Sequence, residues 1–289
     1  MKYIKYFLFL IVMFFAISAL ANDTQETQDL YSLYCPKEPY NLTNSVSRNI
    51  QKALGINLIA SVVASSAVEK TIRSFARGDI KVKVNSFSAT DAKAGRFKNF
   101  TLTGNDIDFH SVYISKLKAS SVCDFIYFDF EKKPVELVEP MVVDFEAEFS
   151  EDDLNNMLKT TGYNKYLLNL KYDAITYKLM ELDRPKISLK DDKFHIEVKV
   201  RLPFKKSFTM KAKTNLNITN NQIHIEKPNE DTALKYKYVA VGNSILNSLT
   251  PLLFAQEVLE EHNCKLLLKD VKIKKEKVIV TGSVFLNRN

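Results

Sequence analysis

The stretch from Met141 to Ser150, MVVDFEAEFS, limits the fold of this chain more than any other. Apolar and polar residues alternate along it, and this period of two predicts a β-strand with one face in an apolar interior and the other in water. Ser150 and Asp153 then predict the start of a helix, because Ser150 suits the N-cap and Asp153 lies near the positive helix end. The inward-facing set of the strand is Val143, Phe145, Ala147 and Phe149.

Similar alternation recurs in segments that are joined by short turns. One set opens at Ile80, a second begins at Lys186, and a final hairpin spans Leu266 to Phe285. The pairs Asp191-Asp192 and Asn220-Asn221 are typical of hairpin turns. Because the strands follow one another in this way rather than as βαβ units, we predict an α+β protein with an antiparallel meander sheet.

Two longer segments have the helical period instead. From Leu42 to Phe75, apolar residues recur at steps of three and four, which predicts a long amphipathic N-terminal helix. Small residues are concentrated in its middle, at 61 and 64–67, and would leave room for a close neighbour. Tyr238 to His262 predicts a second, C-terminal helical stretch that is interrupted at Pro251, a residue suited to the first position of a helix.

The first 21 residues predict a secretory signal peptide. Lys2 and Lys5 precede an apolar run that is short for a membrane span, and Ala19-Leu20-Ala21 is typical of a cleavage site. An uncleaved N-terminal anchor is the alternative. We therefore expect a signal peptide over residues 1–21, a linker over 22–41 and one domain over 42–286. Cleavage after Ala21 would deliver the chain to the periplasm or another extracytoplasmic part of the cell envelope.

Charge and cysteine content fit export. The net charge of +7 falls by two, to +5, when Lys2 and Lys5 leave with the signal peptide. In an exported protein, modest positive charge favours anionic lipid headgroups over nucleic acid as the partner. Three cysteines remain, Cys35, Cys123 and Cys264. One pair can close in an oxidising compartment and leave the third thiol free, and the sequence leaves all three pairings open.

The residue patterns of common catalytic sites are missing from the sequence. Its four histidines are scattered, and its one Gly-x-Ser, Gly242-Asn243-Ser244, lacks the second glycine of a nucleophile elbow. The cysteine spacing matches no zinc motif. The adjacent acids Asp152-Asp153 and Glu260-Glu261 do not face each other on a helix. We therefore expect a binding protein rather than an enzyme, with no cofactor and no metal.

Several segments together resemble the LmeA family, which groups exported bacterial phospholipid-binding proteins. They are GRFKNF (Gly95 to Phe100), FHSVYISKL (Phe109 to Leu117) and SEDDLNNML (Ser150 to Leu158), and the closing segment Lys269 to Val284 is similar to the family's terminal hairpin. The resemblance covers Leu42 to Leu286. It implies phospholipid binding in the cell envelope and, by analogy with tubular lipid-binding folds, a strongly curved sheet wrapped around the N-terminal helix. It brings no catalytic residue with it.

The resulting hypothesis is an apolar groove between sheet and helix that binds or shuttles phospholipid, with lysines at its rim that hold the phosphate. The expected partners are a phospholipid, anionic in type, and the membrane surface. A structural or scaffolding envelope protein with a closed core and protein partners is the alternative, and a hydrolase with an unrecognised site is a third. The predicted groove residues are Ile59, Val63, Ile72, Phe97, Phe100, Phe128, Phe145 and Leu154, and the predicted headgroup-facing or membrane-facing residues are Lys272, Lys274, Lys275 and Lys277.

Overall fold

A computed structural model gives the fold of this chain and describes residues 31, 34–35, 42–74, 76–129, 131, 136–173, 181–201, 207–226, 246–260 and 264–286. The predicted signal peptide and most of the predicted linker lie outside the described residues. The described chain combines helices with antiparallel strands, which confirms the α+β class. Its helices are α1 (Ser45–Ala53), α2 (Ile56–Ile72), α3 (Ala89–Lys93), α4 (Glu151–Met157), α5 (Thr161–Asp173) and α6 (Pro251–Glu260).

The strands of the described chain form three antiparallel sheets. The largest has eight strands in the order β13-β14-β6-β3-β2-β4-β5, with β1 also paired to β2. Strands β7 to β10 form a second sheet, and β11 and β12 form a hairpin. The strands are β1 (Arg77–Ser86), β2 (Arg96–Phe109), β3 (Val112–Ser121), β4 (Ile126–Asp129), β5 (Glu136–Leu137), β6 (Met141–Ser150), β7 (Glu181–Leu182), β8 (Lys186–Lys190), β9 (Lys193–Arg201), β10 (Phe208–Thr214), β11 (Leu216–Thr219), β12 (Gln222–Ile225), β13 (Cys264–Lys274) and β14 (Lys277–Leu286).

The turns between neighbouring strands follow the sequence prediction. Both residues of Asp191-Asp192 and of Asn220-Asn221 have positive φ angles, as do Lys275 and Glu276 between β13 and β14. Two consecutive residues of positive φ give the hairpin turn whose twist matches that of the strands. The large sheet is nevertheless not a simple meander, because β6 pairs on one side with β3 and on the other with β14, from the end of the chain.

The large sheet buries one face, and the alternating residues supply it. On β6, Val143, Phe145, Ala147 and Phe149 are buried, as predicted, and the acids between them are only partly so. The same alternation in β1 and β2 places Val82, Val84 and Leu102 on this inner face. Helix α6 and strand β12 lie against part of the inner face, where Leu252, Ala255 and Ile223 approach it.

Two helix starts were correctly predicted. The Oγ of Ser150 accepts a hydrogen bond from the N–H of Asp153 at 3.1 Å, and an Asp153 carboxylate oxygen accepts one from the N–H of Ser150 at 2.8 Å. This reciprocal capping box starts α4 directly at the end of β6. Helix α6 starts at Pro251, as its fixed φ angle favours. The rest of the predicted C-terminal stretch, 238–245 and 261–262, lies outside the described residues.

The prediction of one long N-terminal helix inside a wrapped sheet is wrong. The segment forms two helices, α1 and α2, which are bent by 87° at the break between them. Gly55 lies at this break with a φ angle of +70°, a conformation that glycine adopts without strain. Helix α2 then lies beside β1, which is an edge strand of the large sheet, rather than within the sheet.

The outer face of the large sheet is tied to the N-terminal segment. A disulfide joins Cys35 to Cys123, which resolves the pairing that the sequence left open, and Cys264 lies outside this pair. The hydroxyl of Tyr31 lies 2.5 Å from the Oγ of Ser283 on β14, and its ring packs on Phe285. Contacts of Tyr31 therefore hold the segment against β14, and the disulfide attaches it to Cys123, which follows β3.

Candidate functional site

An apolar cavity lies between α2, α3 and the β1-β2-β4 end of the large sheet. We call it cavity A; its volume is about 400 Å³, within the range of small-molecule sites. Exposed residues, Val63 of α2 and Lys93 of α3, are part of its lining, so the cavity opens to the surface between them. Its lining consists of Ala60, Val63, Ala64, Ala67, Val68, Ile72, Val82, Val84, Ala89, Ala92, Lys93, Phe97, Phe100, Leu102, Ile126 and Phe128.

A second apolar cavity lies next to the first on the inner face of the sheet. We call it cavity B; it has a volume of about 130 Å³ and lies between the sheet and α6. Ile72, Phe100 and Leu102 line both cavities, so the two meet at these side chains. Phe145, Phe149, Val280 and the other residues of β6 and β14 that face inward line its far part. Cavities A and B thus lie next to each other along the inner face of the sheet.

Cavity A exists because of how α2 is attached to the sheet. The Oγ of Ser65 accepts a hydrogen bond from the N–H of Val84 at 2.8 Å, and the Oγ of Ser61 accepts one from the N–H of Ser86 at 3.2 Å. These bonds fix the helix at the edge of β1. The side chains that α2 then turns towards the sheet include Ala60, Ala64 and Ala67, which are too small to fill the space above the phenylalanine rings.

Six of the eight predicted groove residues line a cavity. Val63, Ile72, Phe97, Phe100 and Phe128 line cavity A, and Phe145 lines cavity B. The other two, Ile59 and Leu154, line neither cavity. The side chain of Ile59 is 65 % exposed on the outer side of α2, and Leu154 is fully buried in the core below α4.

The four predicted headgroup lysines line neither cavity. Lys272 and Lys274 point away from the inner face of β13, Lys275 lies in the hairpin turn, and Lys272 is paired with Asp270 at 3.1 Å. The Nζ of Lys277 donates a hydrogen bond to Glu148 at 3.0 Å. These lysines therefore lie away from both cavities, and carboxylates partly neutralise the charges of Lys272 and Lys277; that the four face a membrane stays a prediction.

Several lining residues were not predicted from the sequence: the alanines of α2, Lys93 and the inward residues of β1, β13 and β14. The small-residue run at 61 and 64–67 was the available signal, since it predicted a close neighbour without saying that the alanines would leave a cavity. Lys93 carried no signal, because its position depends on how α3 meets the mouth of cavity A. It is the one charged side chain among the described residues that line either cavity.

The chemistry of both cavities is that of an apolar binding site. Within the described ranges, no group of three His, Cys, Asp or Glu side chains could hold a metal ion. No single described helix is long and apolar enough to cross a membrane. Helix α1 together with residues 56–70 of α2 reaches that length and hydropathy only as a pair, and the two are bent by 87°. What the cavities can do is take up hydrocarbon, with one cation at the mouth.

Comparison with known proteins adds no relative: no family model, no curated protein and no solved structure matches this chain. The resemblance to the LmeA family therefore remains a prediction from the quoted motifs.

Proposed function

We propose that this protein binds a phospholipid through its acyl chains, in the cell envelope and without catalysis. The observation that carries the proposal is cavity A, an open, nearly all-apolar space with cavity B beside it. A protein interior is normally packed to crystal-like density, so two neighbouring apolar cavities leave side chains without contacts. A hydrocarbon chain would supply those contacts.

The energetics favour a chain-like ligand. Each methylene that leaves water for an apolar site contributes about 0.8 kcal/mol, so ten of them contribute roughly 8 kcal/mol before the cost of immobilising the ligand. Lys93 at the mouth of cavity A takes the role that the sequence gave to the four hairpin lysines. Its ammonium group would hold a phosphate as a point charge. The proposal does not need a sheet wrapped around a long helix, because α2 at the sheet edge already roofs cavity A.

The disulfide fits an exported protein, since such bonds form and persist in oxidising compartments. The same proposal includes export of the protein after cleavage at Ala21. It covers both a protein that carries the lipid between sites and one that only holds it. The scaffolding alternative requires a closed core, which cavities A and B do not favour.

The test is extraction of the purified protein and mass spectrometry of any lipid that co-purifies, followed by uptake of a fluorescent fatty-acyl probe. Ala92→Phe places a ring in cavity A, whereas Ala94→Phe adds the same ring at a nearby exposed position that does not line it. We expect stoichiometric lipid with the unmodified protein and A94F, and at least tenfold less with A92F. A clean extract together with no probe uptake by the unmodified protein would refute lipid binding and favour the scaffolding alternative.

A further inference from the structure

Helices α1 and α2 carry a set of exposed apolar side chains. Leu58 is 71 % exposed, and Ile59 and Val63 are nearly as exposed as Leu58. Soluble proteins rarely expose large apolar patches, and those that they expose often mark a surface that binds a partner or a membrane. We call this set the helix-pair face; it consists of Val46, Ile50, Leu54, Ile56, Leu58, Ile59, Val62 and Val63.

Helix α2 exposes apolar side chains although polar side chains make part of its attachment to the sheet. Ser61 and Ser65 bond to the N–H groups of β1, and the amide of Asn57 donates to the carbonyl of Phe87 at 3.1 Å. An ordinary surface helix does the reverse, burying its apolar stripe and exposing its polar one. Leu58, Ile59 and Val62 are each more than half exposed, so the sheet does not cover them.

The charges around the face are those that complement an anionic surface. Residues 42–63 contain two cations, Arg48 and Lys52, and no acidic residue. Lys93 lies at the mouth of cavity A, and the amide group of Gln51 accepts a hydrogen bond from the N–H of Ala89 at 2.9 Å, which holds α1 against α3. Apolar residues bordered by Lys and Arg are the pattern of helices that lie in the interface of a membrane.

The attachment of α2 to the sheet favours a position on the membrane surface. The 87° bend separates α1 from α2, and the serine bonds commit one side of α2 to protein along much of its length. With 17 residues, α2 is about 26 Å long, short of the hydrocarbon thickness of about 30 Å. A helix pair that is bent and attached in this way can lie on a bilayer surface.

We infer that the helix-pair face docks on the surface of an anionic bilayer and brings the mouth of cavity A to the lipid headgroups. This rests on the proposed function, since it names the place where the lipid would enter. Val63 belongs both to the face and to the lining of cavity A, so an acyl chain that leaves the bilayer at this point meets the cavity directly. The membrane contact is thus made by α1 and α2 and not by the lysines of the β13–β14 hairpin.

The absence of tryptophan from the chain allows a position-specific test. Leu58→Trp places a single reporter on the helix-pair face, and Lys274→Trp places one on the hairpin. Each full-length variant is mixed with vesicles of phosphatidylglycerol and phosphatidylcholine that contain a brominated lipid, and with phosphatidylcholine vesicles as the control. We expect the tryptophan emission of L58W to shift to the blue and to lose at least half its intensity with the anionic vesicles, and that of K274W to stay unchanged.

Each other outcome overturns the inference. Quenching of K274W but not of L58W would assign docking to the hairpin, and no quenching of either variant would remove docking. A blue shift of L58W emission that depends on protein concentration without vesicles would mean that a second copy covers the face. L58W emission that is already blue without vesicles, at every protein concentration, would mean that another part of this chain covers the helix-pair face.

A second variant separates docking from lipid binding. Leu58→Asp with Val62→Asp adds charge to the face at positions that do not line cavity A. We expect this variant to take up the soluble acyl probe as the unmodified protein does, but to bind anionic vesicles at least tenfold less than the unmodified protein does. If both activities are unchanged, docking through this face is wrong while the proposed lipid binding stands. If the unmodified protein takes up no probe, the proposed function itself fails, whatever the vesicles show.

Discussion

The Oγ of Ser65 on α2 accepts a hydrogen bond from the backbone N–H of Val84 on β1 at 2.8 Å. The same hydroxyl donates to the carbonyl of Ser61 one turn earlier, at 2.6 Å. Strand β1 is an edge strand, and the unpaired N–H groups of such an edge invite pairing with another chain unless something covers them. Helix α2 covers this edge with hydroxyl groups, and the position of cavity A depends on that contact.

Ser65→Ala should loosen α2, and Ser66→Ala is its matched control. Both changes raise helix propensity by the same few tenths of a kcal/mol, but only Ser65 bonds to the edge of β1; Ser66 is exposed. A buried N–H left without its partner costs about 1–3 kcal/mol. We expect S65A to be roughly 1–2 kcal/mol less stable than S66A in urea denaturation, with faster amide exchange at Val84. Equal midpoints and unchanged exchange would show that the hydroxyl does not hold the helix.

Gly282→Ala should disturb cavity B. A Cβ at Gly282 would lie 2.6 Å from the carbonyl oxygen of Leu267 and 2.8 Å from a ring carbon of Phe145. The carbonyl belongs to the paired strand β13 and cannot move freely, so the ring of Phe145 must shift in the cavity it lines. We expect a loss of about 1–3 kcal/mol in the free energy of unfolding, as for other overpacked cores.

Gly104→Ala is the comparison for this change. A Cβ there would meet the end of the Ile107 side chain at 2.5 Å, and a side-chain end can rotate away where a backbone carbonyl cannot. We therefore expect a smaller loss in the free energy of unfolding for G104A than for G282A, with both variants measured by urea denaturation. A larger loss for G104A than for G282A would mean that β13 and β14 are not held together as closely as the structure has them.

Local features of the fold were predictable because they depend on neighbouring residues. The alternation in β6, the Ser150–Asp153 capping box and the turn at Asn220-Asn221 each follow from side chains within a few positions of one another. Strand order was not predictable in this way. Alternation tells which face of β6 is buried, but the pairing of Val280 with Ala147 joins residues that are far apart in the sequence.

The site was predictable only in part, for a related reason. Periodicity finds apolar residues, and in this chain they have three different surroundings: Phe100 lines a cavity, Leu154 is packed in the core, and Ile59 is exposed. No spacing rule separates these cases. The apolar residues that the period marked in α2 are divided between two surroundings: Val68 and Ile72 lie against the core, whereas Ile59 and Val62 are exposed.

The disulfide predicts a defined thiol count. With three cysteines and one Cys35–Cys123 bond, the denatured, unreduced protein should bind one equivalent of a thiol reagent, and the reduced protein three. The two cysteines are 88 positions apart, so reduction of the bond should lower stability by about 2–4 kcal/mol. Cys264→Ser should bring the unreduced count to zero. A disulfide-linked peptide that contains Cys264, found by mass spectrometry, would contradict the pairing.

Glu148 on β6 should make stability depend on pH. The Lys277 ammonium, which donates to this carboxylate at 3.0 Å, lowers the pKa of Glu148 below its ordinary value of 4.5; burial opposes this shift, and Lys116 adds to it. Because the folded-state pKa is lower than the unfolded one, the charged pair stabilises the fold above about pH 4.5, and this contribution is lost as the pH falls through the folded value.

Glu148→Gln should therefore be less stable than the unmodified protein at pH 7, by roughly 1 kcal/mol. The difference should shrink steadily below pH 4.5, when the carboxylate of the unmodified protein takes up its proton. Glu146→Gln is the control on the same strand, because its pair with Lys118 is more exposed and should matter less. Urea midpoints at about pH 7, 5 and 3 measure both variants. A stability difference for E148Q that is as large at the acid end as at neutral pH would show that the Lys277–Glu148 pair does not carry it.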